Sequence, residues 1–136
     1  MSFFPEIILS ALVLLILGFG VFLLFYRKKR LSGRDIEKIR KLWQDITSVA
    51  DQHPEQAILK ADKLLDFALQ QAGYRGSLGE KLQKARHVFH DNNAVWSAHK
   101  LRNRIAHEVD IQIGKTQVST ALLAFKRAFS DLGIQL

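Results

Sequence analysis

From Ile7 to Tyr26 the chain runs for 20 residues without a charge, most of them Leu, Ile, Val and Phe. Few structures accommodate such a run. Wound as a helix at about 1.5 Å per residue it reaches roughly 30 Å, the thickness of the hydrocarbon core of a bilayer. Glu6 bounds it on one side and Arg27, Lys28, Lys29 and Arg30 on the other. Positive flanks stay in the cytoplasm, so this cluster predicts an N-terminus outside and residues 31–136 inside. A cleaved signal peptide would have a basic start, a shorter apolar core and a small-residue cleavage site. Here nothing before the run is basic. The sequence therefore divides into a single-pass membrane anchor over 1–30 and a cytoplasmic domain over 31–136, with the lipid bilayer as its first partner.

The 136-residue length leaves room for one domain of about 100 residues beyond the anchor. The absence of cysteine excludes a disulfide framework and a thiolate zinc site. Four of the 20 Lys and Arg belong to the Arg27–Arg30 cluster, and one of the 13 acids is Glu6. Residues 31–136 thus hold 16 basic and 12 acidic side chains, a net of +4. Such a mild excess favours anionic lipid or RNA without selecting either.

Beyond the anchor the pattern is helical throughout. Ile36, Ile39, Trp43, Ile46 and Ala50 form one stripe at three- and four-residue spacing, predicting a helix from about Asp35 to Ala50. Pro54 suits the first turn of a second helix and Gly73 its stop, with Ile58, Ala61, Leu65, Ala68, Leu69 and Ala72 as the core face. Ser77 and Glu80 have capping-box spacing and open a third helix carrying Leu78, Leu82, Ala85 and Phe89. After a polar break at Asp91, Asn92 and Asn93, a fourth helix covers about Ala94 to Glu108. A fifth runs from near Thr116 to Leu132 and stops at Gly133. No segment alternates with period two. The expected fold is all-α, one transmembrane helix followed by a bundle of about five helices with short connections.

The fourth helix carries two distinct faces. Ala94, Ala98, Leu101, Ile105 and Val109 form an ordinary core stripe. Trp96, His99, Lys100, Asn103 and His107 follow one another on roughly the opposite side. A tryptophan there favours cover, by another helix or another subunit, because burying so large a side chain is worth about 1.5–3 kcal/mol or more.

Within that helix the run LRNRIAHE places Arg102, Asn103 and, five positions after the arginine, His107. Together with the preceding segment ADKLLDFAL, Ala61 to Leu69, it resembles the HEPN superfamily of helical-bundle domains, in particular its membrane-anchored bacterial members. The resemblance spans roughly residues 34–136. It implies a metal-independent ribonuclease that works as a homodimer, with the motif helices facing each other and no cofactor. On that basis Arg102 would hold the scissile phosphate, His107 would act as general base or acid, and Asn103 would orient them. Imidazole titrates near about 6.5 and can take a proton from a ribose 2′-hydroxyl, while guanidinium can meet a phosphate through two parallel hydrogen bonds. Five residues set Arg102 and His107 about 140° apart on an ideal helix, so two motifs meeting across a dimer complete the site more readily than one.

The same residues admit a structural role. Asn103 and His107 could pair inside the bundle while Arg102 bonds to Asp62 or Asp66, which lie at i and i+4 on the second helix. Trp96 and His99 would then support that cluster, and the domain would serve pairing or binding of another protein without catalysis. His87, His90 and His99 lack the partners of a recognised metal site, so no metal is expected. Lys81, Lys84 and Arg86 give the third helix a basic side that could meet RNA. Gly73, Gly76 and Gly79 form no phosphate loop, and Gly18 and Gly20 stand too close for a small-residue dimer motif.

Overall fold

The computed structural model describes residues 4–26 and 30–136 of the chain. Among these residues there are six helices and no strand. Helix α1, Phe4–Tyr26, has 23 residues and is long and apolar enough to cross a membrane. Its described side chains lie outside any core, with Leu14 and Leu15 more than two-thirds exposed. Arg27, Lys28 and Lys29, three of the four residues expected to orient the anchor, lie outside the described residues. Arg30 is exposed.

The remaining five helices are α2 (Gly33–Val49), α3 (Pro54–Gln71), α4 (Leu78–Lys84), α5 (Asn92–His107) and α6 (Lys115–Asp131). Local chemistry sets their ends. Ser32 caps α2, its hydroxyl accepting from the Asp35 N–H at 3.1 Å. Pro54 occupies the first turn of α3, where a missing N–H costs nothing. The chain leaves α3 through Gly73 at φ 99°, with the Tyr74 N–H donating to the Leu69 carbonyl and the Gly73 N–H to that of Gln70. Gly133, at φ 84°, ends α6 the same way, and Ile134 folds back fully buried after donating to the Phe129 carbonyl.

Ser77 and Glu80 form the expected capping box, with the Ser77 N–H donating to Glu80 Oε2 at 2.6 Å. That backbone bond, then the Ser77 side chain, holds the Glu80 carboxyl below the usual carboxylate range. The cap is therefore complete above that range and is lost as pH falls through the lowered value. The helix it opens is shorter than expected. It stops at Lys84, and Ala85 and Phe89 reach the core from the turns that follow.

Helix α3 is the centre of the bundle, packing against α2, α4, α5 and α6, while α5 also packs along α6. Ile58, Leu65 and Leu69 of α3 are fully buried with Ile39 of α2, Leu82 of α4, and Phe125 and Phe129 of α6. Trp43 meets Phe129 edge-on, with ring centroids 5.5 Å apart. The expected stripes of α2 and α3 face the core, with Ile36, Ala50 and Ala72 at their ends only half-buried, but that of α5 does not hold to its end. Val109 lies two residues past the helix and is 88% exposed. Just beyond, Asp110 takes φ 57°, turning the chain away.

Phe129→Ala removes a fully buried ring and its edge contact to Trp43, which costs about 3–5 kcal/mol in a core of this kind. Set against a total of about 5–15 kcal/mol for a domain this size, the loss should appear in chemical denaturation as a midpoint shift of about a fifth or more.

Candidate functional site

Asp62 stands in the buried face of α3 with only 4% of its side chain accessible. Ile58 and Leu65 lie one turn either side. A carboxylate in such a place must find partners, because an unpaired buried charge costs several kcal/mol. Both its oxygens turn to α5. His99 Nδ1 lies 2.8 Å from Asp62 Oδ1, and Arg102 Nε lies 3.2 Å from Asp62 Oδ2. The Arg102 Nε–H does not point along that line and makes no hydrogen bond, so the contact is one of charge. Arg102 reaches its neighbour instead, Nη1 donating to Asn103 Oδ1 at 3.0 Å.

This last bond determines the rest of the network. With its oxygen toward Arg102, the Asn103 amide presents its nitrogen to His99 Nε2, 3.3 Å away. An amide nitrogen only donates, so Nε2 must accept and the ring proton belongs on Nδ1, facing Asp62. His99 thus has both nitrogens committed and no position free for acid–base work. Trp96 packs edge-on against the same ring at 5.9 Å between centroids. Gly79 of α4 lies beneath Trp96, where an added methyl would sit 3.8 Å from Cη2. The half-buried Trp96 face is therefore covered in part from within the bundle.

Of the residues singled out in the sequence, Asp62, Trp96, His99, Arg102 and Asn103 come together. Asp66 and His107 do not join them. Asp66, one turn along α3, accepts from Lys81 Nζ at 2.8 Å, and Lys81 is buried with only 4% of its side chain accessible. Gln70 Oε1 lies 3.3 Å from the same ammonium. The expected basic side of the third helix thus loses Lys81 to an internal ion pair. Lys84 turns to the Arg75 carbonyl at 2.7 Å, leaving Arg86 exposed in the following turn. Sequence spacing cannot signal a buried lysine when its partners come from another helix.

His107 is the last residue of α5, exposed, and its side chain makes no hydrogen bond or ion pair with the described residues. The Asn103–His107 pair considered from spacing does not form, since Asn103 faces back along the helix to His99. Arg102 remains 34% exposed along its side chain. On another side of α5, a groove of about 500 Å3 runs against α6 and is lined by Lys100 and Arg104, but not by Arg102 or His107. Glu108 takes Arg104 through two contacts of 3.0 and 3.2 Å, and this hydrogen-bonded pairing raises the guanidinium pKa. Among the described residues no cluster of three or more His, Cys, Asp or Glu could hold a metal ion.

Compared with known proteins, the chain matches no family model, no curated protein and no solved structure.

The two histidines of α5 should separate cleanly in unfolding experiments. His99→Ala strands the Asp62 carboxylate and the Asn103 amide, costing about 1–3 kcal/mol. His107→Ala removes no internal partner and should leave the denaturation midpoint where it is.

Proposed function

We propose that the chain is a membrane-tethered, HEPN-like ribonuclease that works without a metal when two copies bring their α5 helices together. The observation that carries this reading is the division of labour along α5. The structural histidine of the helix is His99, while His107 presents an exposed imidazole with no partner among the described residues. Five residues earlier on the same helix, Arg102 is held by charge and a single directed bond, with a third of its side chain open to a ligand.

In this reading the Arg102 guanidinium binds the non-bridging oxygens of an RNA phosphate, exchanging part of its contact with Asp62 for them. His107 accepts the proton of the adjacent 2′-hydroxyl as the 2′-oxygen bonds to phosphorus. The bond from phosphorus to the 5′-oxygen breaks, and that oxygen leaves with a proton from the second copy's imidazole or from water. The products are a 2′,3′-cyclic phosphate and a 5′-hydroxyl. Asn103 fixes the azimuth of Arg102. The α1 helix supplies the tether, and the Arg27–Arg30 cluster orients it so that residues 31–136 face the cytoplasm.

A second reading draws on the Arg102–Asp62 contact. A guanidinium already opposite a buried carboxylate is partly neutralised, which suits a pairing or partner-binding module without catalysis.

Labelled RNA incubated in chelator with the full chain in detergent micelles separates the two. Cyclic-phosphate ends should accumulate with the wild type, and His107→Ala should slow cleavage by about 100-fold or more at an unchanged melting temperature. Absence of cutting by the wild type, or equal cutting by the variant, would leave the binding-module reading in its place.

A further inference from the structure

Helices α2 and α3 meet along a second groove, of about 380 Å3, on a face that the α5 cluster does not use. Its floor is apolar: Leu42 is 39% exposed and Phe67 half-buried. Its edges are cationic. Lys38 of α2 and Lys60 and Lys63 of α3 line it, against one acid, Asp45. None of the three lysines enters an ion pair with the described residues. Lys38 lies over the Phe67 ring, its Nζ 4.7 Å from the centroid, so its stem covers the floor while its charge stays at the rim. The basic row also continues toward the anchor. Arg34, Lys38 and Lys41 recur at i, i+4 and i+7 on α2, directly after the Arg27–Arg30 cluster.

We propose that this α2–α3 face docks on an anionic lipid surface, Leu42 and Phe67 entering the headgroup boundary while Lys38, Lys60 and Lys63 meet lipid phosphates and carboxylates. The inference rests on α1 being a membrane anchor. Six residues separate Tyr26 from Gly33, a tether of no more than about 25 Å when extended, which keeps α2 beside the bilayer. At that range docking is effectively intramolecular, so a modest patch suffices. An exposed leucine and a half-buried phenylalanine between lysines without ion pairs match the interfacial pattern of apolar contact with flanking positive charge.

The chain has no cysteine, so Leu42→Cys gives a single site for an environment-sensitive fluorophore, and Thr120→Cys on α6 serves as the control. The labelled full chain is reconstituted in vesicles of phosphatidylcholine, with or without phosphatidylserine, that carry brominated acyl chains. Docking predicts a blue shift and bromine quenching at position 42 that require phosphatidylserine, with neither at position 120. Lys38→Gln, Lys60→Gln and Lys63→Gln should each lower the docked-to-free ratio about fivefold, and together on the order of a hundredfold. All three side chains are exposed, so these variants leave the core intact.

Flotation after alkaline carbonate extraction reports the anchor separately. A chain that floats through extraction yet shows no lipid-dependent signal at position 42 overturns the docking proposal and leaves the anchor standing. A chain that washes off but is quenched at position 42 by anionic vesicles overturns the anchor and keeps the docking face. A probe that responds to single-stranded RNA and not to vesicles overturns the lipid assignment.

Discussion

The arrangement of α5 in this bundle depends on one buried carboxylate. Asp62 interrupts the apolar face of α3, and a lone charge there would not be tolerated. His99 and Arg102 answer it from α5, three residues apart and therefore on one side of that helix. Their engagement fixes how α5 is rotated against α3. Asn103 then ties His99 to Arg102, and among the network's buried side-chain atoms Arg102 Nε is left without a directed bond. With Arg102 turned inward, His107 falls about 140° further round the helix, away from the cluster. The fold that uses His99 therefore leaves His107 outside it.

Much of the fold was legible because helix ends carry their own chemistry. Ser77 with Glu80, Pro54, Gly73 and Gly133 each mark a boundary through a backbone requirement that needs no tertiary partner. The stripes of α2 and α3 were equally plain, since a helix packed on one side repeats with its own period. What escaped the sequence was decided between helices. Val109 fits the α5 stripe, yet the helix ends two residues earlier and the chain turns at Asp110. Lys81 reads as a surface lysine, but Asp66 and Gln70 of α3 draw its ammonium inward.

The candidate site was legible in its membership and not in its roles. Asp62, Asp66, Trp96 and His99 were expected to surround Arg102, Asn103 and His107, whereas the structure makes His99 the hub, gives Asp66 to Lys81 and sets His107 apart. A pair at i, i+4 can point either way along a helix. Asn103 had two such neighbours, His99 and His107, and the buried carboxylate selects the first. Only a contact 37 residues distant in sequence resolves that choice.

The two surfaces of interest belong to different parts of the bundle. The α2–α3 groove, next in sequence to α1, carries unpaired lysines around an apolar floor, while the α5 motif lies on the helix packed between α3 and α6. With the first face on lipid, a dimer formed through α5 would remain open to a partner arriving from the aqueous side.

Helix α5 divides its histidines, with His99 locked into the fold and His107 outside its network. Long-range proton–nitrogen correlation spectra of the imidazole rings, recorded on the labelled full chain, distinguish the two rings. His99 should appear as a single Nδ1–H tautomer with a slowly exchanging ring proton, and His107 as a rapidly exchanging, tautomer-averaged ring. A His99 ring protonated at Nε2, or a His107 ring locked in one tautomer within the monomer, would contradict this division.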